Sequence, residues 1–87
     1  MRKDGMLIMR ICDEKELKKE FGARLRKLIE KSGMDQLTVS ERSGVSHNVL
    51  QKYIRGANLP SAQSVINLKY ALDCDYEDLI GFCDFVE

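Results

Sequence analysis

Residues 36–56 read QLTVSERSGVSHNVLQKYIRG, and the spacing within this stretch decides the fold. Two short helical segments, residues 36–43 and 46–55, are separated by a turn that opens on Gly44. A glycine there supplies the left-handed backbone that lets the chain reverse within three residues, so the second helix must cross the first steeply. Ser40 is small where the helices touch, and Val39, Val45, Leu50 and Tyr53 are the apolar residues that face inward. The second helix then carries His47, Asn48, Gln51, Lys52 and Arg55 on a largely polar face. Those side chains can donate or accept at base edges, or hold phosphates.

The flanking sequence extends the helical pattern. Asp13 followed by Glu16 has the form of a helix N-terminal cap with a reciprocal carboxylate. Leu17, Phe21, Leu25, Leu28 and Ile29 then recur at steps of three and four, giving one apolar stripe that ends before Gly33. Asp35 caps the segment at 36–43, and Ser46 caps the next. Gly56 closes that helix, and residues 57–61 form a loop in which Pro60 forbids continuation. Ser61 caps a fourth helix, whose buried face is expected at Val65, Leu68 and Leu72 with Ile66 and Tyr70 beside them. Asp75 is read as the cap of a last short helix containing Leu79 and Ile80, stopped by Gly81. Only residues 7–11 and 82–86 resemble short extended pieces. The expectation is an all-α, compact five-helix domain over residues 13–87, with its helix-turn-helix core at 36–56. Residues 1–12 form a short N-terminal extension.

The totals bound the function. Eighty-seven residues make one small domain with one modest core. With 44% hydrophobic and 32% charged residues the chain has the balance of a soluble globular protein. It has no apolar run of about 18 residues, the length of a membrane span. The basic start and short apolar patch of residues 1–12 lack a small-residue cleavage site, so no secretory signal is expected. Cys12, Cys74 and Cys83 form no CxxC pair, which argues for reduced thiols in a cytoplasm rather than disulfides or zinc.

The formal net charge is zero, but it is unevenly spread. Residues 22–56 hold seven basic and three acidic side chains, residues 57–87 one basic and six acidic, and residues 1–21 six basic and five acidic. The positive segment therefore coincides with the polar helix face.

Residues 21–82, about seven-tenths of the chain, resemble the lambda-repressor-like helix-turn-helix domain of the Cro and XRE family of bacterial and phage regulators. The likeness is carried by Phe21-Gly22 and Arg24-Leu25, by Gly33-Met34 before Gln36, and by Gly44-Val45-Ser46 at the turn. It continues through Leu50 and Tyr53, Gly56 and Pro60, and Leu72, Asp75 and Leu79-Ile80. The resemblance implies a reading helix at 46–55 lying in the major groove of double-stranded DNA. It assigns Gln36 to a phosphate or to bracing that helix, and Ser46 to capping it and touching the backbone. His47, Asn48 and Lys52 fall at base-reading positions with Gln51 beside them, and Arg55 clamps a phosphate. Asn can pair bidentately with adenine, and Lys can donate to guanine O6 and N7. Val49 either meets a thymine methyl or packs. Three residues depart from the family pattern: Ser40 where alanine is usual, Ile54 where a polar residue is frequent, and Leu37 at a normally exposed site.

Two functions remain open at this point. One is a transcriptional regulator, in the repressor sense, that binds a pseudo-palindromic operator as a homodimer, with residues 1–12 and 82–87 as candidate dimer contacts. The other is a protein-interaction module of the same fold, antitoxin-like, with weak DNA binding. An enzyme is not expected. The chain has no phosphate-cradling glycine loop, its single histidine lacks catalytic or metal partners, and the acidic run from Asp73 to Asp78 does not follow a calcium-loop spacing. No cofactor, metal or small-molecule substrate is implied.

Overall fold

The computed structural model describes residues 13–80, which form five helices and no strand. The extended readings at 7–11 and 82–86, the stop at Gly81 and the dimer contacts expected of residues 1–12 and 82–87 lie outside the described residues.

Helix α1 (Glu14–Ser32) starts where the Asp13 carboxylate accepts from the Glu16 N–H at 3.0 Å, and it ends at Gly33. Its stripe points inward as spaced: Phe21, Leu25 and Ile29 are buried, and Leu28 packs against them. Leu17 is half-buried. Helix α2 (Gln36–Ser43) is capped by Asp35, and α3 (His47–Ile54) by Ser46, whose hydroxyl accepts from Val49 N–H at 3.2 Å. Helix α4 (Ala62–Leu72) is capped by Ser61, and α5 (Tyr76–Ile80) is a short closing turn.

One core joins all five helices: Phe21, Leu25 and Ile29 meet Val39, Val45, Leu50, Tyr53, Val65, Leu68, Leu72 and Leu79. Burying a side chain of this size contributes roughly 1.5–3 kcal/mol, so this one cluster carries the stability of the small domain.

Two sequence expectations need correction. Ile66 and Tyr70 are not part of the buried face of α4, since they are 43% and 70% exposed. Val65, Leu68 and Leu72 are buried together with the small Ala71, and this set occupies an arc of about 120°. Ile66 and Tyr70 lie on the adjoining arc, which the fold leaves uncovered. At the start of α5 the carboxylate that reaches the backbone is that of Asp78, which accepts from Asp75 N–H at 3.0 Å. This is the reciprocal half of a capping pair rather than a cap from the Asp75 side chain.

The Asp35 cap makes stability depend on acid. Its carboxylate accepts from Thr38 N–H at 2.8 Å, and the Thr38 backbone and side-chain bonds hold its pKa below the ordinary value of 3.8, with charge on His47 adding a smaller pull. A lowered folded-state pKa means the stabilisation is present above the unfolded value and is lost as pH falls through the folded one. Thermal melts below about pH 4 should therefore show a steeper loss in the wild type than in Asp35→Asn, which keeps the acceptor but cannot titrate. Parallel acid limbs would remove Asp35 from that role.

Candidate nucleic-acid interface

The turn between α2 and α3 is stitched by its serines. Gly44 sits at φ 75°, and its N–H donates to Ser40 O at 2.9 Å. The Ser40 hydroxyl donates to Val45 O at 2.6 Å, so the serine found where alanine is usual satisfies a carbonyl that the turn would otherwise strand. Ser43 is buried; its hydroxyl donates to Ser40 O at 3.4 Å and accepts from Val45 N–H at 3.1 Å. Sequence reasoning passed over Ser43, although a serine immediately before a turn glycine is the available signal.

The far end of α3 is held from two sides. The Tyr53 ring meets Phe21 edge-on, with centroids 5.7 Å apart and planes at 82°, and its hydroxyl donates to Ser64 Oγ at 3.0 Å. Behind it, Gly22 on α1 lies flat against the last turn of α3. A Cβ there would sit 2.5 Å from Tyr53 O and 2.7 Å from Ile54 O. Gly22 entered the sequence reading only as part of a family motif; its spatial reason is this helix crossing.

Locked on that side, α3 presents its other side to solvent. Asn48, Gln51, Lys52 and Arg55 are all exposed. Their spacing of three, one and three residues places them within an arc of about 100°, opposite Leu50 and Tyr53. Arg55 is the C-cap residue, so its side chain leaves from the end of the helix. Ser46 is exposed at the other end, and His47 is half-buried beside it. Gln36, at the first turn of α2, is half-buried, and its helix N-terminus favours an anion. Val49 and Ile54 pack against the core, and Leu37 is 55% exposed on α2.

Charge is distributed in the same sense. On α1, Lys18 pairs with Glu14 at 3.3 Å and Arg26 with Glu30 at 3.4 Å. Among the described residues neither Lys52 nor Arg55 pairs with a carboxylate. Cys74 is half-buried, and burial followed by the charges of Asp78 and Asp75 pushes its thiol pKa up, away from nucleophilic reactivity. Among the described residues there is no group of three or more His, Cys, Asp or Glu that could hold a metal ion, and no helix is long and apolar enough to cross a membrane.

The geometry agrees with what the chain is similar to. The helix-turn-helix family model matches residues 25–79, a span running from the middle of α1 to Leu79. The chain belongs to the Cro/C1-type helix-turn-helix family. Members of this family are DNA-binding transcriptional regulators. Among solved structures, the restriction-modification controller protein C.AhdI from Aeromonas hydrophila is 31% identical, with a TM-score of 0.69 over 71% of this chain and 94% of its own. The clp gene regulator ClgR from C. glutamicum is 27% identical, with a TM-score of 0.68 over 72% of this chain and 82% of its own. The P22 c2 repressor, solved in complex with a synthetic operator, is 25% identical, with a TM-score of 0.64 over 69% of this chain and 91% of its own. A comparison with curated proteins gave no match.

Proposed function

We propose that this helix-turn-helix chain is a sequence-specific repressor that lays α3 in the major groove and binds a pseudo-palindromic operator as a homodimer. It acts in the cytoplasm as a non-enzymatic regulator without metal or cofactor. The observation that carries this reading is the exposed arc of Asn48, Gln51, Lys52 and Arg55 on a helix whose opposite side is fixed in the core. The reading is supported by the likeness to a repressor solved with its operator and to a restriction-modification controller.

In this mechanism Asn48 and Lys52 meet base edges, with Gln51 and His47 at the margin of the same face. Gln36 and Ser46 hold the phosphate backbone at the two helix N-termini, and Arg55 clamps a phosphate from the end of α3. Helix α3, eight residues and about 12 Å long, is short enough to seat fully in a groove of about the same width.

The direct test is enrichment of random duplex DNA on the purified chain at near-physiological salt. A two-fold symmetric enriched site is expected; a folded protein that enriches nothing overturns the reading. Arg55→Ala should weaken binding to all sequences alike and reduce the slope of log affinity against log salt by about one. Loss of preference at one base position would instead make Arg55 a base reader.

A second reading has one observation in its favour. Leu37 exposes apolar surface on α2, beside the reading helix, as an interaction module of this fold would. That module would co-purify with a specific protein, and Asn48→Ala or Lys52→Ala would change its weak DNA binding little.

A further inference from the structure

The first two turns of α1 carry their charges on separate sides. At about 100° per residue, Lys15 and Lys19 fall roughly 20° and 60° from Gly22, the residue at which α1 meets α3. Glu16 and Glu20 fall about 120° and 160° away, on the side turned from α3. Lys18 also faces α3, about 40° from Gly22, but its ammonium is paired with Glu14 at 3.3 Å. Lys15 and Lys19 are exposed, and neither ammonium has a carboxylate partner among the described residues.

The fold brings this pair of lysines to the end of the reading helix. Past α3 the chain turns at Gly56 with φ 77°, where an added Cβ would lie 3.4 Å from Lys19 Cα and 3.5 Å from Lys18 O. Arg55 stands one residue earlier, and Lys52, whose carbonyl accepts from Ala57 N–H at 2.8 Å, belongs to the same end of α3. Lys52, Arg55, Lys19 and Lys15, all exposed and without a carboxylate partner among the described residues, therefore follow one another from α3 onto α1. From Lys19 to Lys15 the row advances by about 6 Å along α1. Such a row suits a phosphate backbone, which carries one negative charge for about every 3.4 Å of axis per strand.

We propose that Lys15 and Lys19 hold phosphates of the DNA strand that runs past the end of α3, so that the chain grips base pairs outside those that α3 reads. The inference rests on the operator reading and extends it from the helix-turn-helix to α1. There α1 supplies affinity and register without sequence preference, because phosphate contacts carry no base information. Lys27 is exposed on the same helix but lies about 140° from Gly22, on the side turned from α3, and provides the control.

The test is the salt dependence of duplex binding by the full chain, measured for wild type, Lys15→Ala, Lys19→Ala and the control Lys27→Ala. Each of the first two should lower the slope of log affinity against log salt by about one, for all sequences alike, and Lys27→Ala should leave it unchanged. Trimming the duplex to the enriched site should weaken the wild type, whereas the double variant of Lys15 and Lys19 should bind trimmed and full duplex equally. Because these positions are exposed and alanine favours a helix, thermal midpoints should match the wild type; should one variant fail to fold, the other decides. Slopes unchanged in Lys15→Ala and Lys19→Ala, or lowered as much by Lys27→Ala, overturn the proposal. The two ideas fail separately. A wild type that enriches a two-fold site with a slope indifferent to both lysines retains the operator reading and removes this contact. A protein that enriches no sequence, yet whose non-specific slope falls in Lys15→Ala and Lys19→Ala alone, retains the contact and removes the operator reading. Absence of any DNA binding removes both.

Discussion

Gly22→Ala should destabilise the domain by about 3 kcal/mol, at the upper end of what overpacking a well-filled contact costs. For a chain of this size that lowers the thermal midpoint by roughly 15 °C. The sign is informative, because helix propensity alone predicts the reverse: alanine in a helix interior is favoured over glycine by about 1 kcal/mol. Propensity loses here because the added Cβ would lie 2.5 Å from Tyr53 O and 2.7 Å from Ile54 O. Both neighbours are backbone, so relief requires α3 to move off α1 as a unit. That movement pulls against the Phe21–Tyr53 ring contact and the Tyr53 bond to Ser64, which hold the same end of α3. Differential scanning calorimetry makes the measurement. A midpoint equal to or above that of wild type would show that α1 and α3 can separate without loss.

What the chain reveals before folding depends on whether a feature is local. The caps at Asp13, Asp35, Ser46 and Ser61 were legible because each is a side chain acting on a backbone N–H three residues ahead. The glycine at the turn and the stripe of Phe21, Leu25 and Ile29 were legible for the same reason, being set by spacing. Ile66 and Tyr70 were misplaced because periodicity marks a helix as apolar without saying which of two adjoining arcs meets the core. That choice belongs to α2 and α5, which pack on the side of Val65, Leu68 and Ala71. The spatial role of Gly22 and the bond to Ser64 were not legible, since Gly22 meets Tyr53 and Ile54, 31 and 32 residues away, and Ser64 meets Tyr53, 11 residues away. Of the candidate site, Asn48, Gln51, Lys52 and Arg55 emerge on one exposed arc as spaced, whereas Gln36 and His47 are half-buried.

Replacing Asn48 or Lys52 by alanine should remove about 1–3 kcal/mol of discrimination at one base position each, a factor of roughly 5 to 150 in relative affinity. Both side chains are exposed, and neither has a structural bond that its loss would break among those within the described residues. Folding stability should therefore move by no more than about 0.5 kcal/mol, so a change in DNA preference cannot be mistaken for unfolding. The two positions are four residues apart on α3, so under the proposed reading they would meet neighbouring bases from one rigid frame. For that reason the double variant should lose less than the two single losses added together, as contacts sharing one docking register are coupled. Asn48→Ala should relax preference for adenine, where the amide both accepts and donates, and Lys52→Ala preference for guanine, where only donation is needed. The contrast with Arg55→Ala supplies the internal control: a phosphate clamp alters the salt slope without altering the preferred sequence. Competition titrations against single-base variants of the enriched site make the measurement. A uniform loss across all those variants in Asn48→Ala would mean that its amide holds the backbone, and would leave base reading to Lys52 with Gln51 and His47, the other polar side chains on the same helix.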